Sequence, residues 1–583
     1  MQSLPAVYLR KTVVLWLWLA GAVGAATVAA STPSDLPAAQ LQSAQAWIAR
    51  EFQPSTLSSE QQLAEMSWFI RAAAPYRGLQ IRVVSENIGT HVYESNVLAR
   101  AFAQITGIDV VHEVTGEDDV VKKLQAQMQT GLPLYDAYVN DSDFIGAHFR
   151  MGKTLVLSDY MLAEGRAVTS PTLDLADFMG LRFTSGPDGK LYQLPDQQFA
   201  NLYWYRQDWF SRPELQRAFK QRYGYALAVP QNWTAYEDIA EFFSVHVREL
   251  DGQRVWGHMD YGRHDPSLGW RFSDAWLGLA GVGDKGLPNG LPVDDWGIRV
   301  ENCHPVGASV SRGGALDSPA AIYAMTKYKG WLDKYAPPEA RQMTFSSSAE
   351  WVPKGQIAQQ IFWYTAFVPD LLKPGSALAN ADGSARWRVA ASPVGAYWQT
   401  GMKSGYQDVG SWTLLKNTAA DRQAAAWLYA QFTVSKTVSL RKTLVGLTPI
   451  RISDIESQAM TEAAPRLGGL VEFYRSHARD VWTPTGTNVP DYASLAPLWW
   501  QELGPLVDGR QSVASSLHNL ASKMDLELAR IAERGEMQQC EPRLGAPQSA
   551  AYWLAQPGAP AAKTDEHPPG QTLSYPEALR KWQ

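Results

Sequence analysis

Residues 79–89 read LQIRVVSENIG, 94–107 ESNVLARAFAQITG, 107–116 GIDVVHEVTG, 118–133 DDVVKKLQAQMQTGLP and 135–145 YDAYVNDSDFI. The first, third and fifth segments are apolar runs rich in Val and Ile that end in polar or Gly-containing turns, the pattern of buried strands. The second and fourth space their apolar residues along one helix face, and the fourth opens on acidic residues that suit a helix N-terminus. Strand, helix, strand, helix, strand over about 65 residues implies a parallel sheet with right-handed crossovers. Ligands of such sheets sit beyond the carboxyl ends of the strands, where Glu86, Asn140, Asp141 and Asp143 fall.

Residues 187–210, PDGKLYQLPDQQFANLYWYRQDWF, pose a narrower problem. A Gly turn leads into an alternating strand in which Leu191, Leu194, Leu202, Trp204 and Trp209 suit a core. Core packing does not account for the amides of Gln197, Gln198 and Asn201 within that run. An amide both donates and accepts hydrogen bonds.

At 583 residues the chain exceeds the usual reach of one core and implies two or more domains. A net charge of -6 argues against a nucleic-acid partner and favours small molecules or proteins. The 23 Trp, 24 Tyr and 18 Phe residues provide many flat apolar faces for core or ligand. Arg10 and Lys11 precede TVVLWLWLAGAVGAATVAA, the layout of a secretory signal peptide over residues 1–30, with a signal anchor as the alternative. No Cys stands there to carry a lipid, so the expectation is a soluble mature chain from Ser31, periplasmic in a Gram-negative source. Cys303 and Cys540 are the only cysteines, and an oxidising compartment permits a disulfide between them.

Residues 31–78 read as a helical extension, with Ser58 or Ser59 capping its second helix. GQIAQQIFWYTAF reads as a buried strand, and DVGSWTLLKNTAADRQAAAWLYAQFTVS as strand, turn and helix. The Pro- and Ala-rich tail from Ala546 reads as loosely held. Gly281, Gly283 and Gly286 match a dinucleotide-binding pattern by chance, because no strand leads into them and Pro288 stops a following helix. His258, Asp260, His264 and Asp265 read as a polar loop in preference to a metal site.

The ordered series GKTLVLSDYM, PDGKLYQLPDQQF, VPQNWTAYEDIAEF, GQIAQQIFWYTAF, GSWTLLKNTAADRQAAAWLYAQF and TLVGLTPIRIS resembles the extracellular solute-binding proteins of bacterial ABC sugar importers, family 1, the maltose-binding-protein-like group. The length and layout resemble the glycerol-binding component of a glycerol ABC importer. The resemblance implies an α/β, two-lobed periplasmic-binding-protein fold with a ligand cleft between lobes, plus N-terminal and C-terminal helical extensions. On that reading lobe I comprises 79–204 and 405–455, lobe II 205–404 and 456–545, and the tail 546–583. Asp196 to Asn201 would then face the cleft at the first crossing between lobes. Hydrogen bonds to a polyol or sugar would come from Glu86, Asn140, Asp141, Gln197 and Asn201, and ring faces from Trp270, Phe272, Trp276, Trp363, Tyr364 and Trp412. The expected partners are a small polyol or sugar and ABC permease subunits. No cofactor, metal or catalysis is expected, and the chain is expected to be a monomer. A receptor for a cationic solute such as a polyamine, which would want several carboxylates in the pocket and is not favoured by the amides of Gln197 and Gln198, and a secreted carbohydrate hydrolase remain as alternatives.

Overall fold

The computed structural model describes residues 36–282, 296–362, 364–400, 402, 405, 407–480, 485–556 and 567–582. The N-terminal extension forms two helices, α1 (Ala38–Arg50) and α2 (Ser59–Ala72). Ser58 caps α2 in a reciprocal box with Gln61. The chain continues through β1 (Gln80–Glu86), α3 (Ala99–Thr106), β2 (Asp109–Thr115), α4 (Glu117–Thr130), β3 (Ala137–Asn140) and α5 (Ile145–Met151). Two strands flank Asn201, β4 (Leu194–Ala200) and β5 (Leu202–Tyr205). Later come β6 (Gln359–Phe362), β7 (Arg388–Ala390), β8 (Gln407–Thr413), α6 (Ala420–Thr433), α7 (Ser439–Gly446) and α8 (Val513–Arg534).

Two sheets organise the molecule. The first has the order β2-β1-β3-β8-β4, with β1 parallel to β2 and β3, as the alternating sequence requires. β8 joins antiparallel to both β3 and β4, because it arrives from the opposite direction after the chain has built the second sheet. The second sheet is β6-β5-β7, antiparallel throughout. The chain therefore changes sheets at Asn201, three residues before the expected boundary after Trp204.

The extension helices are part of the first lobe's core. Phe52 of their connecting loop, Phe69 of α2 and Phe102 of α3 all pack edge-on against Phe432 of α6, with ring centroids 5.3–6.1 Å apart. Glu65 of α2 accepts from the Thr437 amide at 2.8 Å and the Thr172 hydroxyl at 2.6 Å. The expectation of a loose tail is corrected over its described part. Thr572–Leu573 pair with Val229–Pro230, and Trp582 is buried against Phe473, so apolar contact holds the chain end. Residues 1–35, Gly283, Gly286 and Trp363 lie outside the described residues, as does the side chain of Tyr364. Among the described residues no helix is long and apolar enough to cross a membrane.

Candidate ligand-binding site

β1, β3, β4 and β8 lie side by side, so their polar ends are brought together. Alternation along β4 decides which side chains matter. Gln197 points toward Glu86 at the end of β1 and donates to it from Nε2 at 3.0 Å. Gly410, opposite on β8, leaves the room, since a Cβ there would lie 2.5 Å from Gln197 Nε2. Asp408 on β8 accepts from the Ser142 amide at 3.1 Å, the Ser142 hydroxyl at 2.7 Å and the Val409 amide at 2.6 Å. Asn140 donates to His148 Nε2 at 3.2 Å, and burial holds that imidazole neutral, its pKa pushed down to about 3.

Glu117, in the first turn of α4, completes the group. Its carboxyl shares a cavity with Asp141 and lies close enough for Glu86 and Asp408 to act on it. Glu86, Glu117, Asn140 and Asp141 line one cavity of about 10 Å³ with Val120, Val121 and Val139, room for a single water-sized body. Burial, together with the neighbouring carboxylates, holds Glu86, Glu117 and Asp141 above the ordinary carboxyl range. Burial also raises Asp408, against the hydrogen bonds from Ser142 and Asp141. Gln197 Oε1, Asn140 Oδ1 and both amide atoms of Asn201 are buried without a hydrogen-bond partner.

Thus the structure brings Glu86, Asn140, Asp141 and Gln197 together, and Asn201 sits at the change of sheet. Asp196 does not face the cleft, a correction that follows from strand alternation. It points to the helix side, where Lys442 of α7 lies 2.7 Å from it and 2.8 Å from Glu94. His91 Nε2 stands 3.7 Å from Asp196, and atoms of His91, Glu94 and Asp196 lie within 4.8 Å of one another, a spacing that could hold a metal. Burial opposes protonation of His91, but Asp196, Glu94 and Glu86 outweigh it and raise its pKa, while burial and the Asp196 carboxylate raise Glu94 to about 8 and Lys442 offers a cation in place of a metal. This is a buried ion network beneath the site.

Most of the proposed rings are core. Trp412 is fully buried on the helix side of β8, and its indole donates to Asp196 at 3.0 Å and Thr433 at 2.9 Å. Phe272 packs edge-on against Tyr328, and Trp276 lies among Trp233, Tyr328 and Trp331, all within the second lobe. Trp270 is different: half-buried, it donates to the Tyr492 hydroxyl at 2.9 Å, and Tyr492 packs against Phe144 of the first lobe at 4.5 Å. The His258 segment is a loop, but a buried one, in which Arg271 pairs with Asp260 at 2.7 Å and His258 bonds Tyr236 at 2.7 Å. Glu117 and Asp408 escaped sequence reading. The acidic turn after Gly116 was the only signal for Glu117, and nothing local marks Asp408 before β8 is placed beside β3.

The sequence profile of the bacterial extracellular solute-binding proteins matches residues 92–438, more than half of the chain. The chain belongs to that family. Its fold is similar to an ABC transporter solute-binding protein of Agrobacterium radiobacter in complex with ribitol, with a TM-score of 0.59 at 19% identity over 78% of this chain and 99% of the other. It is similar to the maltose-bound MalE3 of T. maritima, with a TM-score of 0.58 at 15% identity over 77% and 100%. UgpB of Mycobacterium tuberculosis in complex with glycerophosphocholine gives 0.52 at 15% identity over 77% and 98%. No curated protein sequence matches the chain. At Asn201 the chain crosses from the first sheet to the second. Across the junction between lobes Arg150 of α5 donates to the carbonyls of Thr487 at 2.9 Å and Cys303 at 3.0 Å.

Proposed function

We propose that this solute-binding protein captures glycerol or a related small polyol or sugar in the cleft between its lobes and delivers it unaltered to ABC permease subunits. The observation that carries the reading is the Glu86–Gln197 pair beside the buried, unpartnered amide oxygens of Gln197 and Asn140 and the whole side-chain amide of Asn201. Leaving such groups unpaired is costly, and hydroxyls that both donate and accept would satisfy them. Trp270 would supply a ring at the second lobe's edge. The cavity at the carboxyl ends is smaller than any polyol, so ligand entry requires the lobes to part and close again, as differential affinity for the closed state would drive them to do. On this reading the mature chain begins at Ser31 and works as a monomer in the periplasm.

The carboxyls of Glu86, Glu117, Asp141 and Asp408 favour one second reading, a cationic solute such as a polyamine. A thermal-shift panel of polyols, sugars and polyamines separates the two. Stabilisation by a polyol, with the ligand recovered chemically unchanged by NMR, supports the proposal. Stabilisation by spermidine alone would transfer it to the second reading, and new products from a glycoside would mark a hydrolase.

A further inference from the structure

The fold alone leaves the ligand's charge open, since structures similar to it hold an uncharged polyol and a phosphodiester. The wall of this cleft is more selective. Glu86, Glu117 and Asp141 line one cavity, and Asp408 lies close enough to act on all three. Asp408 cannot swing away, because three donors from Ser142 and Val409 hold its Oδ1. The strongest charged influences on Asp141 are the carboxylates of Asp408, Glu117, Glu86 and Asp143. Beside them Gln197, with no exposed surface, holds its Oε1 without a donor while its Nε2 is committed to Glu86. Asn140 Oδ1, also buried, has no donor. Carboxyl and amide oxygens therefore dominate the polar lining of this cavity, and among the described residues no Lys or Arg lines it.

We propose that this wall is a charge filter that admits donor-rich ligands, uncharged or cationic, and rejects anionic ones, so that a polyol enters while its phosphate ester is excluded. The inference rests on the reading of this cleft as the polyol site. An added anion would either repel these carboxyls or force them to take up protons, and no described Lys or Arg lines the cavity to offset that cost. Like charges brought together at an interface cost enough to lower affinity by more than about 100-fold. Glu86 and Glu117 are the residues that set the discrimination, because their carboxyls face the cavity from β1 and α4.

Titration calorimetry with glycerol, ribitol, spermidine, glycerol 3-phosphate and monoacetin tests this, monoacetin being an uncharged ester that controls for bulk. The expected result is binding of a parent polyol with glycerol 3-phosphate weaker by more than about 100-fold, monoacetin weakened much less, and a narrower ratio in Glu117→Gln. Binding of glycerol 3-phosphate as tightly as glycerol overturns the filter and leaves the polyol reading intact. Rejection of monoacetin as strong as that of the phosphate also overturns it, since exclusion would then be by size. Binding of spermidine without any polyol sustains the filter and removes the polyol reading. A panel in which nothing uncharged or cationic binds overturns the filter as well.

Discussion

Gln197 and Trp412 sit on neighbouring strands of one sheet and point to opposite faces, and the difference separates a proposed ligand contact from core. Gln197→Ala removes a hydrogen-bonding group at the cleft and should weaken polyol binding by about 5- to about 150-fold, with little change in melting temperature. Trp412→Phe keeps the ring but loses the indole bonds to Asp196 and Thr433, so it should lower stability by about 1–3 kcal/mol and leave affinity nearly unchanged. Calorimetry and thermal melts of both variants check the pair, and a reversed pattern would show that the faces are misassigned. His112 belongs to the same buried side, bonded to Ser85 at 2.8 Å and Tyr429 at 2.9 Å. Burial first, then the positive charges of His91 and Lys442, push its pKa from 6.5 down to about 3. A depressed histidine contributes stability that is full above pH 6.5 and is lost as pH falls toward 3, while Asp454, raised by burial to about 7, acts oppositely by losing its contribution as pH rises through that range. Nitrogen NMR of the native protein at pH 5 should find His112 and His148 neutral; cationic rings at that pH would contradict the account.

At the scale of elements, the disulfide Cys303–Cys540 fastens the C-terminal extension to a hairpin of the second lobe. From there Gln538 donates its amide to the Arg150 carbonyl at 2.9 Å, and Gln539 its side-chain amide to the Phe149 carbonyl at 2.7 Å, both on α5 of the first lobe. The extension therefore spans the junction that must open for a ligand. Replacing both cysteines by serine should cost about 2–4 kcal/mol of stability and raise the polyol dissociation rate, measured by melts and stopped-flow tryptophan fluorescence. An unchanged dissociation rate would confine the bond to a role in stability. The parallel strands, the helices between them and the cysteine pair were legible in sequence, because periodicity and composition are local signals. The antiparallel return of β8 was not, since it depends on where the chain comes back from the second lobe. For the same reason Asp408 could not be placed beside Asp141. The rings failed differently: Trp276 and Trp412 carry no local mark that separates a core indole from one that meets a ligand.

The whole molecule is two α/β lobes joined at Asn201 and at the return to β8, with helical extensions that complete the first lobe and bridge it to the second. Every polar group proposed for the ligand lies on the first lobe or the crossing, and Tyr492 of the second lobe, bonded to Trp270, packs against Phe144 of the first. Such a division suits capture by closure, in which ligand stabilises the closed state only through contacts that the open state lacks. The most direct test of the central claim is titration calorimetry of the exported, ligand-stripped protein with glycerol. The account predicts saturable binding of one glycerol per chain that Gln197→Ala weakens by about 5- to about 150-fold. No heat with glycerol or any other polyol or sugar, or binding that Gln197→Ala leaves untouched, would contradict it.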